Sequence, residues 1–165
     1  MRTRSIILCG LALIVLALPL SATAERTTAS DAAVVKIAFN KKLKRKIIVT
    51  GTGLTLYMFT ADTGATPSCY DDETYHCSQA WPPYRSTEPP VAGPGVHAAL
   101  LTTAPRTDGD PQVMYNRHPL YTDAGSVHLG LKPDTRPGQI RGQSFFQIWF
   151  VVSPQGRAIK KKPKR

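Results

Sequence analysis

The sequence is poor in charged and aromatic residues and has no segment with sustained helical periodicity. Charged residues make up 19% and aromatic residues 8% of the 165 positions. This composition excludes solvated disorder, and the missing helical repeat excludes a coiled coil. Glycine and proline are plentiful, with 12 and 14 residues, which predicts many turns. We expect an all-β class, or mainly β with one or two helical turns, with short strands joined by long Gly/Pro-rich loops.

The sequence also lacks the common motifs of hydrolytic and metal sites. It contains no GxSxG or HExxH, and no two histidines have HxH or HxxxH spacing. His97, His118 and His128 are therefore only weak candidates for metal ligands. We expect no cofactor and no enzymatic activity. A periplasmic metal- or redox-associated protein that uses His and Met side chains is the alternative function.

The first 24 residues have the features of a secretory signal peptide. A basic start precedes an apolar run at 5–20, and Ala22-Thr-Ala24 has the small-x-small form of a cleavage site. A membrane anchor is the alternative, but the run is shorter than the roughly 20 residues that span a bilayer. We expect cleavage after Ala24, a flexible lead-in at 25–33, no transmembrane span after processing, and a periplasmic or secreted protein.

Cleavage would leave two cysteines, Cys69 and Cys77. In an exported chain such a pair is most simply a disulfide. A metal or redox pair is the alternative. The six residues between the two cysteines do not fit CxxC redox spacing, and a zinc site would need more ligands.

Positive charge is concentrated in two short segments. Five of residues 41–46 and six of residues 157–165 are Lys or Arg, whereas 47–156 holds six cations and nine acids. We predict that 157–165 is a disordered tail and that the basic segments bind anionic envelope polymers or lipid headgroups. A merely solvated tail is the alternative, and export argues against a nucleic-acid partner. The candidates are Lys41, Lys42, Lys44, Arg45, Lys46, Lys160, Lys161, Lys162, Lys164 and Arg165.

Alternating or apolar runs predict one β domain over residues 34–156. Cys77–Trp81 could form one helical turn before two prolines end it. The almost wholly apolar run at 145–152 is typical of a central strand that is covered on both faces. Further strands are predicted at 34–39, 46–50, 54–60, 112–115 and 118–122.

The sequence contains a weak internal repeat. Leu56-Tyr57 recurs as Leu120-Tyr121, at an offset of 64 residues, and Gln79-x-Trp81 recurs as Gln147-x-Trp149, at an offset of 68. This pattern predicts two related β units, at about 51–100 and 112–156, that share one core.

The order of landmarks resembles a known family. Tyr57, Phe59 and Asp62 match the signature Yx(F/W/Y)xxD. Both cysteines, Trp81-Pro-Pro83, Pro119-Leu-Tyr121 and Trp149 follow in the expected order. The chain is similar to a bacterial secreted-repeat family of predicted lipoproteins, which has no established biochemical function. The resemblance implies a small β-rich exported envelope protein with a tandem repeat.

The sequence departs from that family in two places. The second copy reads Tyr121-Thr-Asp123, without an aromatic residue two positions after the tyrosine, and no cysteine is placed for lipid attachment. A soluble form is therefore expected. We interpret the motif side chains as structural, with a binding site as the alternative. They are Tyr57, Phe59, Asp62, Trp81, Tyr121 and Trp149.

Overall fold

The computed structural model describes residues 32–160 except Tyr75, and it confirms a mainly β protein with very little helix. The strands are β1 (Val34–Asn40), β2 (Arg45–Thr50), β3 (Tyr57–Phe59), β4 (Val91–Ala92), β5 (Leu101–Arg106), β6 (Gly109–Tyr115), β7 (His118–Pro119) and β8 (Trp149–Val151). The single-turn helix α1 covers Cys77–Ala80, and a 3-10 turn covers Ala98–Leu100. No helix in this described part is long and apolar enough to cross a membrane.

The strands form three small sheets. The first has the order β2-β1-β4, with an antiparallel β1–β2 hairpin and a parallel β1–β4 pair. The second is the antiparallel pair β3–β8, and the third has the order β5-β6-β7 with all pairs antiparallel. An isolated bridge between Tyr57 and Tyr121 links β3 to the segment after β7, and another pairs Gln112 of β6 with Arg85.

The core consists of two clusters, and alternation along β2 explains why. Ile47 and Val49 point into the first core cluster, which holds both tryptophans, whereas Ile48 points into the second. Successive side chains of a strand face opposite sides of the sheet. Apolar residues in both alternating positions therefore bury the strand on both faces.

Two tyrosines and two tryptophans meet at the centre of the molecule. Tyr57 N donates to Tyr121 O and Tyr121 N donates to Tyr57 O, each at 2.9 Å. The rings of Trp81 and Trp149 stack nearly parallel, with their centroids 4.0 Å apart. Residues that lie 64 or 68 positions apart in the chain therefore face one another.

The backbone around this centre makes matching hydrogen bonds. Thr60 N donates to Ile148 O at 2.8 Å, and Ala124 N donates to Ala80 O at 3.0 Å. The two donors are 64 positions apart and the two acceptors are 68 positions apart. In the first bond the donor comes from the first half of the chain, and in the second bond it comes from the second half. Each half of the chain thus bonds to the other half in the same way.

The expected strand at 145–152 is wrong over its first half. Only Trp149–Val151 is strand, and Trp149 N donates instead to Phe145 O at 3.2 Å across a turn. Phe146 and Gln147 have positive φ angles, and Phe146 is 66% exposed. The apolar run is longer than the part of it that the core can bury. The chain therefore turns at Phe146, although that residue is hydrophobic.

Other boundaries also differ from the prediction. The strand at 54–60 is reduced to Tyr57–Phe59, and the strand at 112–115 begins three residues earlier, at Gly109. The return strand at 118–122 is reduced to His118–Pro119 and a bridge at Tyr121. The tail does not begin at residue 157, because Ala158 bridges Val152 and Ile159 is 5% exposed. Ile159 is apolar and reaches the first core cluster, so the segment up to it belongs to the folded domain.

Candidate anion-binding groove

The β1–β2 turn presents its lysines by burying its one leucine. Asn40 Oδ1 accepts hydrogen bonds from the backbone N–H groups of Lys42, at 3.1 Å, and Leu43, at 3.0 Å. Leu43 is fully buried, whereas Lys41, Lys42 and Lys44 are exposed. Lys44 closes the turn with φ 51°. Because the turn is anchored from inside, its cations point outward.

A loop at 133–141 lies against this turn. Asn40 Nδ2 donates to Gly138 O at 3.1 Å, and the Thr55 hydroxyl donates to Gln139 O at 2.6 Å. Gln139 Oε1 in turn accepts from the backbone N–H of Arg136 at 3.1 Å. These bonds hold two arginines, Arg136 and Arg141, next to the lysines of the hairpin.

Together the turn and the loop enclose a groove of about 690 Å³, which we call the cationic groove. Its cations are Lys41, Lys42, Arg136 and Arg141, and its apolar floor is formed by Ala38, Ile47 and Val49. None of its lining residues is acidic. Phe39, 63% exposed, also lines it. An open site with several cations, no carboxylate and an apolar floor is suited to anionic groups attached to an apolar body.

The cations of the groove are not neutralised by ion pairs within the described residues. The two salt bridges found there both involve Asp108, on another hairpin. Asp134 lies near the groove, and its carboxyl pKa is raised by burial, against the lowering effects of the Tyr57 hydroxyl and nearby Arg141 and Lys42. The groove thus keeps a net positive charge at neutral pH.

The structure brings the aromatic motif residues together away from the groove opening. Trp149 stacks on Phe59 with their centroids 4.3 Å apart and on Trp81 with their centroids 4.0 Å apart. Tyr57 and Tyr121 meet the tryptophans edge-on. Trp81 and Trp149 are 2% and 3% exposed, so both are buried as expected. Their rings contribute packing to the core.

Each motif tyrosine donates its hydroxyl hydrogen bond to a carboxylate in the other half of the chain. Tyr57 donates to Asp134 at 2.5 Å, and Tyr121 donates to Asp62 at 3.1 Å. Asp62 also accepts from the backbone N–H of Ser68 at 2.8 Å, the turn contact expected of it. Burial raises the pKa of Asp62 despite these donors. These contacts tie both loops to the central strands.

A second buried carboxyl, Asp123, lies beside Trp81. Asp123 Oδ2 is the one buried side-chain oxygen without a hydrogen-bond partner in the described ranges 32–74 and 76–160. Burial and then the nearby Asp134 raise its pKa to about 7. A side chain at Gly142 would collide with the Trp81 ring and lie 3.2 Å from Asp123 Oδ2. The tryptophan therefore requires glycine at this position.

Among residues 69–128, the two cysteines are bonded in a disulfide and the candidate histidines come from separate segments of the chain. Cys69 and Cys77 form a disulfide, as predicted. His97 and His128 are exposed, and half-buried His118 has its pKa lowered by loss of hydration. No group of three or more His, Cys, Asp or Glu side chains in the described part of the chain could hold a metal ion.

The predicted cations divide into separate groups. Lys41 and Lys42 line the cationic groove, whereas Arg45 and Lys46 line a different pocket. Lys160 is exposed at the end of the described chain. Lys161, Lys162, Lys164 and Arg165 lie outside the described residues.

Sequence reasoning missed the acidic and basic residues of the loops. Arg136, Arg141, Asp123 and Asp134 stand in Gly/Pro-rich segments with no strand pattern. Only the loop's hydrogen bonds to Asn40 and Thr55 bring the two arginines to the hairpin. The run Arg136-Pro-Gly138 indicates a turn, and nothing in it indicates which cations the turn approaches.

Comparisons of the chain with protein-family models, with curated proteins and with solved structures find no match. The resemblance to the secreted-repeat family therefore stays a prediction, and function has to be argued from the site itself.

Proposed function

We propose that the protein is exported and acts as a non-enzymatic β module that binds a phosphate-bearing anionic component of the cell envelope. The cationic groove carries the proposal. It gathers four cations from two distant chain segments around an apolar floor, with no acidic residue in its lining.

Charge and size support a ligand with phosphate groups. A groove of about 690 Å³ lies within the roughly 300–1,000 Å³ of small-ligand sites. Arg136 can bind a phosphate through two parallel N–H donors, Arg141 keeps N–H donors besides the bond that its Nη1 makes to Pro133 O at 2.7 Å, and Lys41 and Lys42 add mobile point charges. The apolar floor offers a surface for the body that carries the phosphate.

Export is part of the same proposal. The basic start, the apolar run and Ala22-Thr-Ala24 support a signal peptide, and the Cys69–Cys77 disulfide agrees with an oxidising compartment. N-terminal sequencing of the protein recovered from an expressing bacterium should give Glu25 as the first residue. Recovery only with Met1 in the cytoplasm would refute export.

We also propose that the fold arose from a tandem duplication. The matching hydrogen bonds and the facing Tyr57–Tyr121 and Trp81–Trp149 pairs support it. The bonds from Ile48 N to Val152 O and from Val113 N to Tyr84 O would add the hairpins β1–β2 and β5–β6 to the two units, which would then begin at β1 and β5.

Binding can be tested by co-sedimentation with phosphatidylglycerol vesicles and, separately, by pull-down with an immobilised glycerol-phosphate polymer. The mature chain should bind at least one of these, and neutral phosphatidylcholine vesicles should not be bound. Binding should weaken steeply as salt rises, because exposed charges are screened over about 8 Å at physiological ionic strength. Comparing the vesicle experiment with the polymer experiment shows whether the ligand is a lipid headgroup or a polymer.

The variant Lys41→Glu/Arg136→Glu tests the groove itself. Both side chains are exposed, so the fold should persist, while affinity should fall by about tenfold or more. Lys132→Glu/Arg117→Glu is the matched control, because it makes the same change in charge at exposed positions that do not line the groove. If both variants lose the same affinity, the loss comes from the change in net charge alone, and the proposal that the groove binds the ligand is refuted.

A further inference from the structure

A second cavity lies on the opposite face of the β1–β2 hairpin. Ala38 and Ile47 face the cationic groove and pack on the first core cluster. Ile37 precedes Ala38 in β1, lines the second cavity and packs on the second core cluster. Because Ile37 and Ala38 are neighbours in a strand, their side chains point to opposite faces, and β1 lies between the two cavities at this point.

This second pocket has a volume of about 420 Å³ and polar walls. Arg45 and Lys46 come from β2, His97 from the turn before β5, and Ser153 from the segment after β8. Its lining residues include no carboxylate. Residues from three separate parts of the chain thus line this pocket, and Arg45, Lys46, His97, Ser153 and Gln155 among them carry polar side chains.

The walls of the second pocket are held by hydrogen bonds. The backbone N–H of His97 donates to the Tyr115 hydroxyl at 3.2 Å, and that hydroxyl donates to Pro154 O at 2.8 Å. Ser153 N donates to Arg157 O at 2.9 Å, and buried Ile159 closes one side. Because its walls are fixed, little ordering is needed when an anion enters.

We propose that the second pocket binds a phosphate monoester group and that the protein thereby bridges two anionic molecules. The pocket is smaller and more polar than the cationic groove, which suits a compact dianion without a large apolar body. With one anion site on each face of the same hairpin, one molecule can hold two phosphate-bearing partners at once. The bridging step rests on the function proposed above, whereas phosphate binding in the second pocket does not.

Phosphate binding is tested first with inorganic phosphate. In an NMR titration of the full mature chain, the amide resonances of Gly95 and His97 should shift in a saturable way. The shifts should vanish in Arg45→Glu/Lys46→Glu and persist in Lys132→Glu/Arg117→Glu. Persistence of the shifts in the first variant would overturn the second site, as would their absence from the native chain.

Bridging is tested with vesicles that contain phosphatidic acid, with turbidity reporting aggregation and co-sedimentation reporting binding. The native chain should both bind and aggregate the vesicles. Arg45→Glu/Lys46→Glu should still bind within about threefold of the Lys132→Glu/Arg117→Glu control, yet it should no longer aggregate them. If this variant aggregates vesicles like the control, bridging through the second pocket is refuted.

The two proposals fail in different ways. Unchanged vesicle binding by Lys41→Glu/Arg136→Glu would refute the cationic groove and leave the phosphate titration of the second pocket unaffected. Sedimentation velocity provides the remaining control, because a protein dimer could also join vesicles. If the native chain is dimeric and Arg45→Glu/Lys46→Glu is monomeric, the pocket is a subunit contact and the second site is refuted.

Discussion

The hairpins β1–β2 and β5–β6 each bond to a segment from the other half of the chain. Ile48 of β2 donates its N–H to Val152 O at 3.0 Å, and Val113 of β6 donates to Tyr84 O at 2.7 Å. Each hairpin also sends one side chain from its first strand to the carbonyl of a neighbouring loop. Asn40 bonds to Gly138 O at 3.1 Å, and Arg106 bonds to Cys69 O at 2.8 Å.

The turns at the ends of the two hairpins, which we call their tips, use charged residues differently. The Arg106 guanidinium is fully buried, bonds both carboxylate oxygens of Asp108, and lies 4.0 Å from the centre of the Tyr70 ring. Arg85 also pairs with Asp108, at 3.0 Å. The β1–β2 tip has neutral Asn40 in the corresponding place and keeps its cations outside. One tip uses its charges for internal cohesion, and the other leaves them available to a ligand.

The largest loss of stability should come from removing a side chain that packs against both halves of the chain. Trp149→Ala should lower the free energy of unfolding by about 3–5 kcal/mol, the usual cost of deleting a buried large aromatic side chain. Trp149 contacts Phe59, Trp81 and Tyr121, so both halves lose packing. Denaturant unfolding followed by circular dichroism measures the change. A cost below about 1 kcal/mol would contradict a shared core.

The next effect sharpens the contrast between the tips. Arg106→Ala leaves Gln112 Oε1 and Cys69 O without their donor, and it should cost about 2–4 kcal/mol, since it breaks a buried charged network. Lys44→Ala, on the exposed tip, should change stability by less than about 0.5 kcal/mol. Urea unfolding measures the loss of stability in both variants. Equal losses would contradict the proposed difference between the buried charges of one hairpin and the exposed charges of the other.

Two truncations locate the boundary of the fold beside the second pocket. Deleting residues 157–165 removes buried Ile159 and its bond from Ile159 N to Val151 O at 2.9 Å. This should cost about 2–3 kcal/mol of unfolding free energy. Deleting 161–165 removes only four cations and a proline, and thermal unfolding should be almost unchanged. Identical melting of both truncated chains would place the whole segment outside the fold.

The last effect concerns the pH dependence of stability. Burial raises the pKa of Asp123 to about 7, so the folded state keeps a proton that the unfolded state loses. Stability should therefore fall as pH rises from about 4 to 7, by up to about 1.4 kcal/mol per pH unit for this group. Asp123→Asn should flatten that slope in urea unfolding at several pH values.

Asp108 provides the opposite case, because Arg106 and Arg85 hold its pKa well below the usual range. Its contribution to stability is present above about pH 4 and is lost as the pH falls further. Asp108→Asn should therefore flatten only the acid side of the profile. A slope between pH 4 and 7 that survives in Asp123→Asn would assign it to another buried carboxyl, such as Asp134, whose pKa is also raised.

The sequence by itself determined the β class, the helical turn at Cys77 and the disulfide. These features depend on local chemistry: alternating apolar residues, glycine and proline breaks, and two nearby cysteines. Local chemistry also correctly predicted the burial of both tryptophans. It failed at 145–152, because whether an apolar run continues as a strand or turns depends on which partners it meets.

Only the tertiary structure decided the composition of the cationic groove and the second pocket. Arg136 and Lys41 are 95 residues apart in the chain, and they meet because Asn40 and Thr55 bind the backbone of the 133–141 loop. The basic run at 41–46 appears uniform in sequence, yet the structure divides it between two faces of one hairpin. Charge density is a local property that the sequence records, whereas its placement depends on long-range hydrogen bonds and packing.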